Sequence, residues 1–351
     1  MRVVHMDSGL GNQMLDYAEY LAICSQNQDE ECYLENLIYE IPHKDGMFSM
    51  WNGYELKRIF GIEPPNIKQL FDAKAWKRIL QRVEDSQFWK ENWNYAPHII
   101  KALEEEGVYL TNYGKKIEAP SKKPMTLKRK IRLFMTRFFQ TRIGYHIKRH
   151  MRKLLAGRLI SKANENYHIF RKYPSNAYTG HSFAFKYKGF GIECIDPMVR
   201  EAFSFPAIED EKNKEMMKLI RGCNAVSIHA RRSDLLFVNG YCYKFGFFKR
   251  SVRYIKKHVD NPVFIFFTDE KSVGWCEENE KIFGLNFKKD KVYFVDWNRG
   301  EDSFRDMQLM AECKHNIFTE STFGFWGAYL NSNPNKITCA PDPMILATHS
   351  F

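Results

Sequence analysis

From residue 224 to residue 331 the chain repeats one pattern: an apolar run, a polar turn, then a stretch of helical spacing. "NAVSIHA" (224–230) reads as a strand and "FFKRSVRYIKKHV" (247–259) as a helix. "PVFIFFTDE" (262–270) reads as a buried strand ending in a polar turn, and "KVYFVDW" (291–297) as another strand. "DSFRDMQLMAECK" (302–314) is helical, with Asp302 as the expected N-cap. "HNIFTESTFGFWGAYLN" (315–331) supplies a short strand, a polar turn and a helix. Strands alternating with helices assemble into a parallel sheet, because each crossover returns the chain to the starting end. The N-terminus opens in the same way, with a strand over 2–6, the glycine turn "SGLGNQM" (8–14) and a helical stretch through "LDYAEYLAICSQ". Residues 40–120 mix aromatics and loops without a clear period. At 351 residues the chain has the length of about two domains.

In an open parallel sheet, ligands bind beyond the carboxyl ends of the strands. "HARRSD" (229–234), "TDE" (268–270) and "TESTFG" (319–324) all follow expected strands, so they are expected to converge on one crevice. Two neighbouring guanidinium groups repel each other unless an anion neutralises them, and the paired N–H donors of Arg231 and Arg232 suit a diphosphate. Ser321 and Thr322, at a helix N-terminus, offer hydroxyls and backbone N–H groups to a further phosphate oxygen. Asp269 or Glu270 can accept from a guanine edge or a ribose. The plainer readings are a surface loop whose arginines pair with carboxylates, and a capped helix. "SGLGNQM" has neither the Gly-x-Gly-x-x-Gly spacing nor the Gly-Lys-Ser/Thr ending of a phosphate loop. Its interest lies in Asn12 and Gln13, two amides able to address sugar hydroxyls or, alternatively, to bond locally at the helix start. There is no Asp-x-Asp, no His/Cys ligand spacing and no Gly-x-Ser-x-Gly. The expectation is no metal, with arginines stabilising a departing diphosphate by fixed charge.

The formal net charge of +11 favours anionic partners. Residues 120–163 carry fourteen Lys or Arg and no Asp or Glu. Leu127, Ile131, Phe134 and Phe138, then Ile147, Met151, Leu154, Leu155 and Leu159, follow helical spacing, and Gly144 is expected to separate two basic amphipathic helices. Such a segment is either a solvated surface hairpin or a dock for anionic lipid headgroups. The eight cysteines are scattered with no CxxC pair, which suits reduced thiols. No signal-peptide core and no run of eighteen apolar residues stands in the sequence. The expected location is cytoplasmic, peripheral on the inner membrane face.

"SGLGNQM", "HARRSD" and "DMQLMAECKHNIFTESTFGFWGAYLN" (306–331), in this order, resemble the motifs of the α-1,2-fucosyltransferase family, glycosyltransferase family 11. That family shows a Gly-Gly-Leu-Gly-Asn-Gln-Met start, His-x-Arg-Arg-x-Asp, and a late Cys-Lys-His-Asn-Ile segment leading into Ser/Thr-Phe and Trp-Gly-Ala. The resemblance implies an α/β, GT-B-like fold: two Rossmann-like domains facing a central cleft, with a basic helical insertion. Residues 1–185, including 120–163, would form the acceptor-side domain, and 186–351 the GDP-fucose-binding domain. The implied reaction is inverting, metal-independent transfer of L-fucose from GDP-fucose to O2 of a terminal galactose in a glycan. Carried over by position, His229, Arg231, Arg232 and Asp234 belong to the donor motif, with Arg231 as the essential phosphate contact. Ser321, Thr322 and Phe323 match the late donor-side turn, and Gly9, Gly11, Asn12 and Gln13 the acceptor side of the cleft.

Four departures put acceptor preference in play: Ser8 for a glycine, Leu15-Asp16 for Phe-Gln, Glu320 for Asn, and Gly324-Phe325 for Ser-Trp. Asp7, Asp16, Asp234 and Glu320 are the candidate proton acceptors. Two alternatives stand beside this reading. One is a related fucosyltransferase forming α-1,6 or O-linked fucose. The other is a nucleic-acid-binding protein using the basic segment, against which no recognisable binding module is present.

Overall fold

The computed structural model describes residues 1–42, 51–90, 93–113, 127–166, 175–179, 183–232 and 235–351. The chain divides into two compact units. The first comprises Met1–Pro124, Lys162–Phe185 and Gly189–Phe205; the second comprises Met125–Ser161, Lys186–Lys188 and Pro206–Phe351.

The first unit holds a four-stranded sheet of β1 (Arg2–His5), β2 (Cys32–Glu35), β3 (Thr111–Asn112) and β4 (Ala177–Thr179), in the order β2-β1-β4-β3. Every pairing is parallel, with Val3 opposite Tyr33 on one side and Tyr178 on the other. The region without a sequence period supplies its helical cover. In the Ala73–Ser86 helix, Asp72 caps the first turn by accepting from the Ala75 N–H at 2.7 Å. Trp76, Ile79 and Val83 recur at helical spacing on its buried face and pack with Val3, Phe88, Ile99 and Tyr178.

The second unit holds β5 (Asn224–Ala230), β6 (Pro262–Thr268), β7 (Lys291–Val295), β8 (His315–Phe318), β9 (Thr338–Ala340) and β10 (His349–Ser350). All are parallel, in the order β10-β9-β8-β5-β6-β7. The chain builds outward from β5 through β6 and β7, then returns to β5's other edge and builds outward through β8, β9 and β10. This is the doubly wound order, with its switch point between β5 and β8. β6 is buried on both faces, as expected for the core strand of a covered parallel sheet. Phe264 and Phe266 of β6 pack with Phe247, Phe248 and Phe283, all wholly buried. Each such ring contributes about 1.5–3 kcal/mol of transfer free energy.

Two local expectations need correction. Asp302 is not an N-cap: it lies in a 3-10 turn, Gly300–Ser303, and the helix that follows starts at Phe304 after Ser303. Gly144 does not separate the two basic helices. They run over Leu127–Phe139 and Arg142–Asn166, so Gly144 stands in the first turn of the second. A Cβ at Gly144 would lie 2.0 Å from the Phe138 carbonyl oxygen, so glycine is what lets the chain reverse there. The described residues 127–161 pack with the second unit. Tyr145 is buried against Tyr241 and Phe245, with ring centroids 5.3 and 5.1 Å away, and Arg152 pairs with Asp342 at 3.1 Å.

Candidate active site at the β5–β8 switch point

The carboxyl ends of β5 and β8 are neighbours, with His229 opposite Phe318. They therefore bring His229, Arg231 and Arg232 beside Ser321, Thr322 and Phe323, two of the three segments that the sequence expects to converge. Ser233 and Asp234 lie outside the described residues. His229 is buried, its ring tilted against Phe323 at 5.8 Å. Burial, with Arg231 next to it, lowers its pKa to about 3, so the imidazole is neutral at physiological pH. A Cβ at position 324 would lie 2.5 Å from the His229 Nδ1. Gly324 thus lets the Thr322–Leu330 helix start against β5. Ser321 is the N-cap of that helix, in extended conformation, and makes no side-chain cap hydrogen bond.

A short helix after the arginine pair, Leu236–Lys244, ties the two strand ends together. The Asn239 side chain donates to the Arg231 carbonyl at 3.3 Å and accepts from the Glu320 N–H at 3.0 Å. Tyr243 donates to the same Arg231 carbonyl at 3.0 Å, and Tyr241 donates to Glu320 Oε1 at 3.0 Å. Sequence reasoning missed these three residues. Their signal was present as polar side chains at alternate positions just after "HARRSD", but their common target is visible only in three dimensions.

Asp269 at the end of β6 accepts from the Arg232 N–H at 3.1 Å and from the Ser272 hydroxyl at 2.7 Å. It therefore shapes the arginine loop. The Arg232 guanidinium lies 3.8 Å from the Trp275 ring centroid, a cation–π stack that sets its plane. Glu270 instead pairs with Arg299 on an exposed surface. A cavity of about 570 Å³ borders the ends of β8 and β9, where Glu320 and Asp342 face Tyr241, Phe237, Lys148 and Arg149. Its described lining includes neither Arg231 nor Arg232, so it lies beside the switch point rather than on it.

In the first unit, the glycine turn is filled by the chain itself. Gln13 is buried, and its amide donates to the Ser8 carbonyl at 2.9 Å and the Gly53 carbonyl at 2.8 Å while accepting from the Glu55 N–H at 2.9 Å. It acts as a staple, and the sugar-binding expectation for this residue finds no geometric support. The Leu10 N–H, at the start of the Leu10–Gln26 helix, donates to Glu55 at 3.2 Å. Gly9 is the N-cap, Gly11 is buried in the first turn, and the half-buried Asn12 donates its N–H to the Gly9 carbonyl at 2.9 Å. Ser8, at the position where the family resemblance expects glycine, has φ of +67°.

Beneath the turn, His5 lies between Glu35 at 2.6 Å and Asp7 at 3.4 Å. Burial works against its charge, but the two carboxylates overcome that and raise its pKa to about 9. Asp7 also accepts from Ser8 Oγ at 2.7 Å and Trp93 Nε1 at 2.9 Å. Burial raises the Asp16 pKa well above the usual carboxylate value, with Asp7 and Glu19 adding to it. Asp7 and Asp16 are both sealed from solvent, whereas Glu320 is half-buried. Among the described residues, no group of three or more His, Cys, Asp or Glu side chains is arranged to hold a metal ion.

The family model described as "Glycosyl transferase family 11" matches residues 64–344. An alpha-1,2-colitosyltransferase of Escherichia coli is 36% identical over 137 residues, 37% of this chain and 44% of that protein. A galactoside alpha-(1,2)-fucosyltransferase 1 of Saimiri sciureus is 30% identical over 110 residues, 30% of this chain and 28% of that protein. The chain thus spans less than half the length of these curated relatives. Among solved structures, it is similar to the fucosyltransferase NodZ from Bradyrhizobium over 93% of this chain and 91% of that one. The identity there is 12% and the TM-score 0.41, too slight to bear on fold or function. The family match, by contrast, runs through both strand ends of the switch point and their arginine and hydroxyl turns, and the chain belongs to glycosyl transferase family 11.

Proposed function

We propose that this chain transfers L-fucose from GDP-fucose to O2 of a terminal galactose in a glycan, with inversion at the anomeric carbon. The observation that carries this reading is the convergence of Arg231 and Arg232 with Ser321 and Thr322 at one sheet switch point. Arg231 is the diphosphate contact: its fixed charge neutralises the leaving group as the C1–O bond to phosphate breaks. Arg232, held over Trp275, reinforces that field. Ser321 and the N-terminus of the helix behind it hold a phosphate oxygen, with Thr322 and Phe323 completing the donor turn. The galactose O2 attacks C1 from the opposite face, GDP departs, and the hydroxyl proton passes to a carboxylate, Asp234 or Glu320. The first unit supplies the acceptor side, with Gly9, Gly11 and Asn12 at its glycine turn. The reaction needs no metal, and the enzyme works in the cytoplasm, where eight free thiols are at home.

The 36% identity to the colitosyltransferase favours a second reading, in which the sugar is colitose and the nucleotide and linkage are unchanged. Purified protein is incubated with GDP-fucose or GDP-colitose, a panel of β-galactosides and excess EDTA. GDP release and product linkage are then measured. An α-1,2 product formed in EDTA is expected. A different linkage, or activity that only Mn²⁺ or Mg²⁺ restores, overturns the reading.

A further inference from the structure

The two basic helices combine features that do not occur together on an ordinary solvated surface. One face of the Arg142–Asn166 helix is anchored to the second unit through Tyr145 and the Arg152–Asp342 pair. The opposite face turns apolar residues to solvent: Ile143 is 71% exposed and Leu154 73%, with Ile147 and Met151 between them. On the Leu127–Phe139 helix, Leu127, Ile131 and Phe134 form a stripe at helical spacing, and they are 74, 56 and 67% exposed. Isolated exposed apolar side chains are common, but stripes of them on two successive helices are a mark of an interaction surface. Lys128, Lys130 and Arg132 flank the first stripe and are themselves exposed. No helix among the described residues is long and apolar enough to cross a membrane.

We propose that this helix pair is a docking face for an anionic lipid surface, lying in the headgroup plane with its apolar stripes inserted and its cations on lipid phosphates. Charge complementarity selects this occupant. A segment with fourteen cations and no anion across residues 120–163 repels a second copy of itself and is attracted to an anionic bilayer. Lys148 and Arg149 line the cavity beside Glu320 together with Tyr145 and Arg152, on the anchored side of the helix, so docking by the apolar stripe leaves that cavity on the protein side. The inference is independent of which sugar is transferred, and its test does not use activity.

The full chain is mixed with sedimentable vesicles of phosphatidylcholine alone or with about one-third phosphatidylglycerol, a content that gives a strongly negative surface. Sedimentation is expected with the anionic vesicles only, falling steeply between low salt and roughly 0.5 M salt as charges are screened. The triple variant Lys128→Gln, Lys130→Gln, Arg132→Gln should lower the partition coefficient roughly 10- to 100-fold. Ile143→Ser, Ile147→Ser, Leu154→Ser should lower it comparably, and all six positions are exposed, so circular dichroism should be unchanged. Equal binding to neutral vesicles, no binding to anionic ones, or wild-type binding by both variants overturns the proposal. So does self-association in the absence of lipid that the apolar variant abolishes, since that identifies a second copy as the occupant.

Discussion

The two units carry the same local construction, a buried parallel strand followed by a glycine- or hydroxyl-bearing turn and a helix, yet they use it in opposite ways. After β1, the first N–H of the helix is taken by Glu55, the Gln13 amide is spent on backbone groups, and Asp7 and Asp16 are sealed. After β8, the N-cap Ser321 makes no side-chain cap hydrogen bond, and the half-buried Arg231 follows the neighbouring strand β5. The first turn is occupied by the protein's own side chains, and the second is the one proposed to receive an anion. The difference teaches that a carboxylate arriving from elsewhere in the fold, as Glu55 does at Leu10, takes up a helix N–H that an anion would otherwise need.

The largest expected effect tests the buried ionic core of the first turn. His5 has its pKa raised from 6.5 to about 9, so its charged form stabilises the fold fully below pH 6.5 and progressively less as pH rises through about 9. Chemical denaturation at pH 6.5 and pH 9.5 should differ by on the order of 3 kcal/mol, with the alkaline sample weaker. Stability that is flat or rising over this window would remove the charge from His5.

Next in size is the staple. Gln13→Ala deletes three hydrogen bonds and leaves buried backbone groups unpaired, which should cost about 2–3 kcal/mol of unfolding free energy. A ligand-binding Gln13 would instead leave stability intact and raise KM.

The switch point should show the reverse pattern. Arg231→Lys keeps the charge and loses the planar donor fork, so kcat/KM should fall by the equivalent of at least ~2 kcal/mol while the unfolding midpoint stays put. Near-normal turnover would end the diphosphate role and with it the contrast between the two turns.

The smallest effect concerns the backbone of the first turn. Ser8→Gly relieves the φ of +67° but gives up the hydroxyl bond to Asp7, so a net gain of roughly 0.5 kcal/mol in stability is expected. A loss larger than that would mean that the Ser8–Asp7 bond outweighs the backbone strain.

Periodicity alone located β5, β6 and β8, because a strand buried on both faces must be a continuous apolar run, and it located the Phe247–His258 and Thr322–Leu330 helices but not the short helices Leu236–Lys244 and Val273–Glu278. It also located the arginine and hydroxyl turns, because a sheet of this class displays whatever follows its strands. It could not identify the filling of the first turn, since Glu55 lies 45 residues from the Leu10 N–H it accepts from. Nor could it see that Asn239, Tyr241 and Tyr243 hold the two strand ends, because Glu320, the partner of Asn239 and Tyr241, lies 81 and 79 residues away.

The sequence by itself determined the strand–helix alternation, the family membership and the charge of residues 120–163, all of which are properties of local order and composition. Only the tertiary structure decided that the first turn is filled by Gln13 and Glu55, which carboxylates are sealed, and which face of the basic helices meets solvent. Those outcomes depend on which distant side chain arrives to satisfy a buried donor, and burial and hydrogen bonding across the fold make that selection.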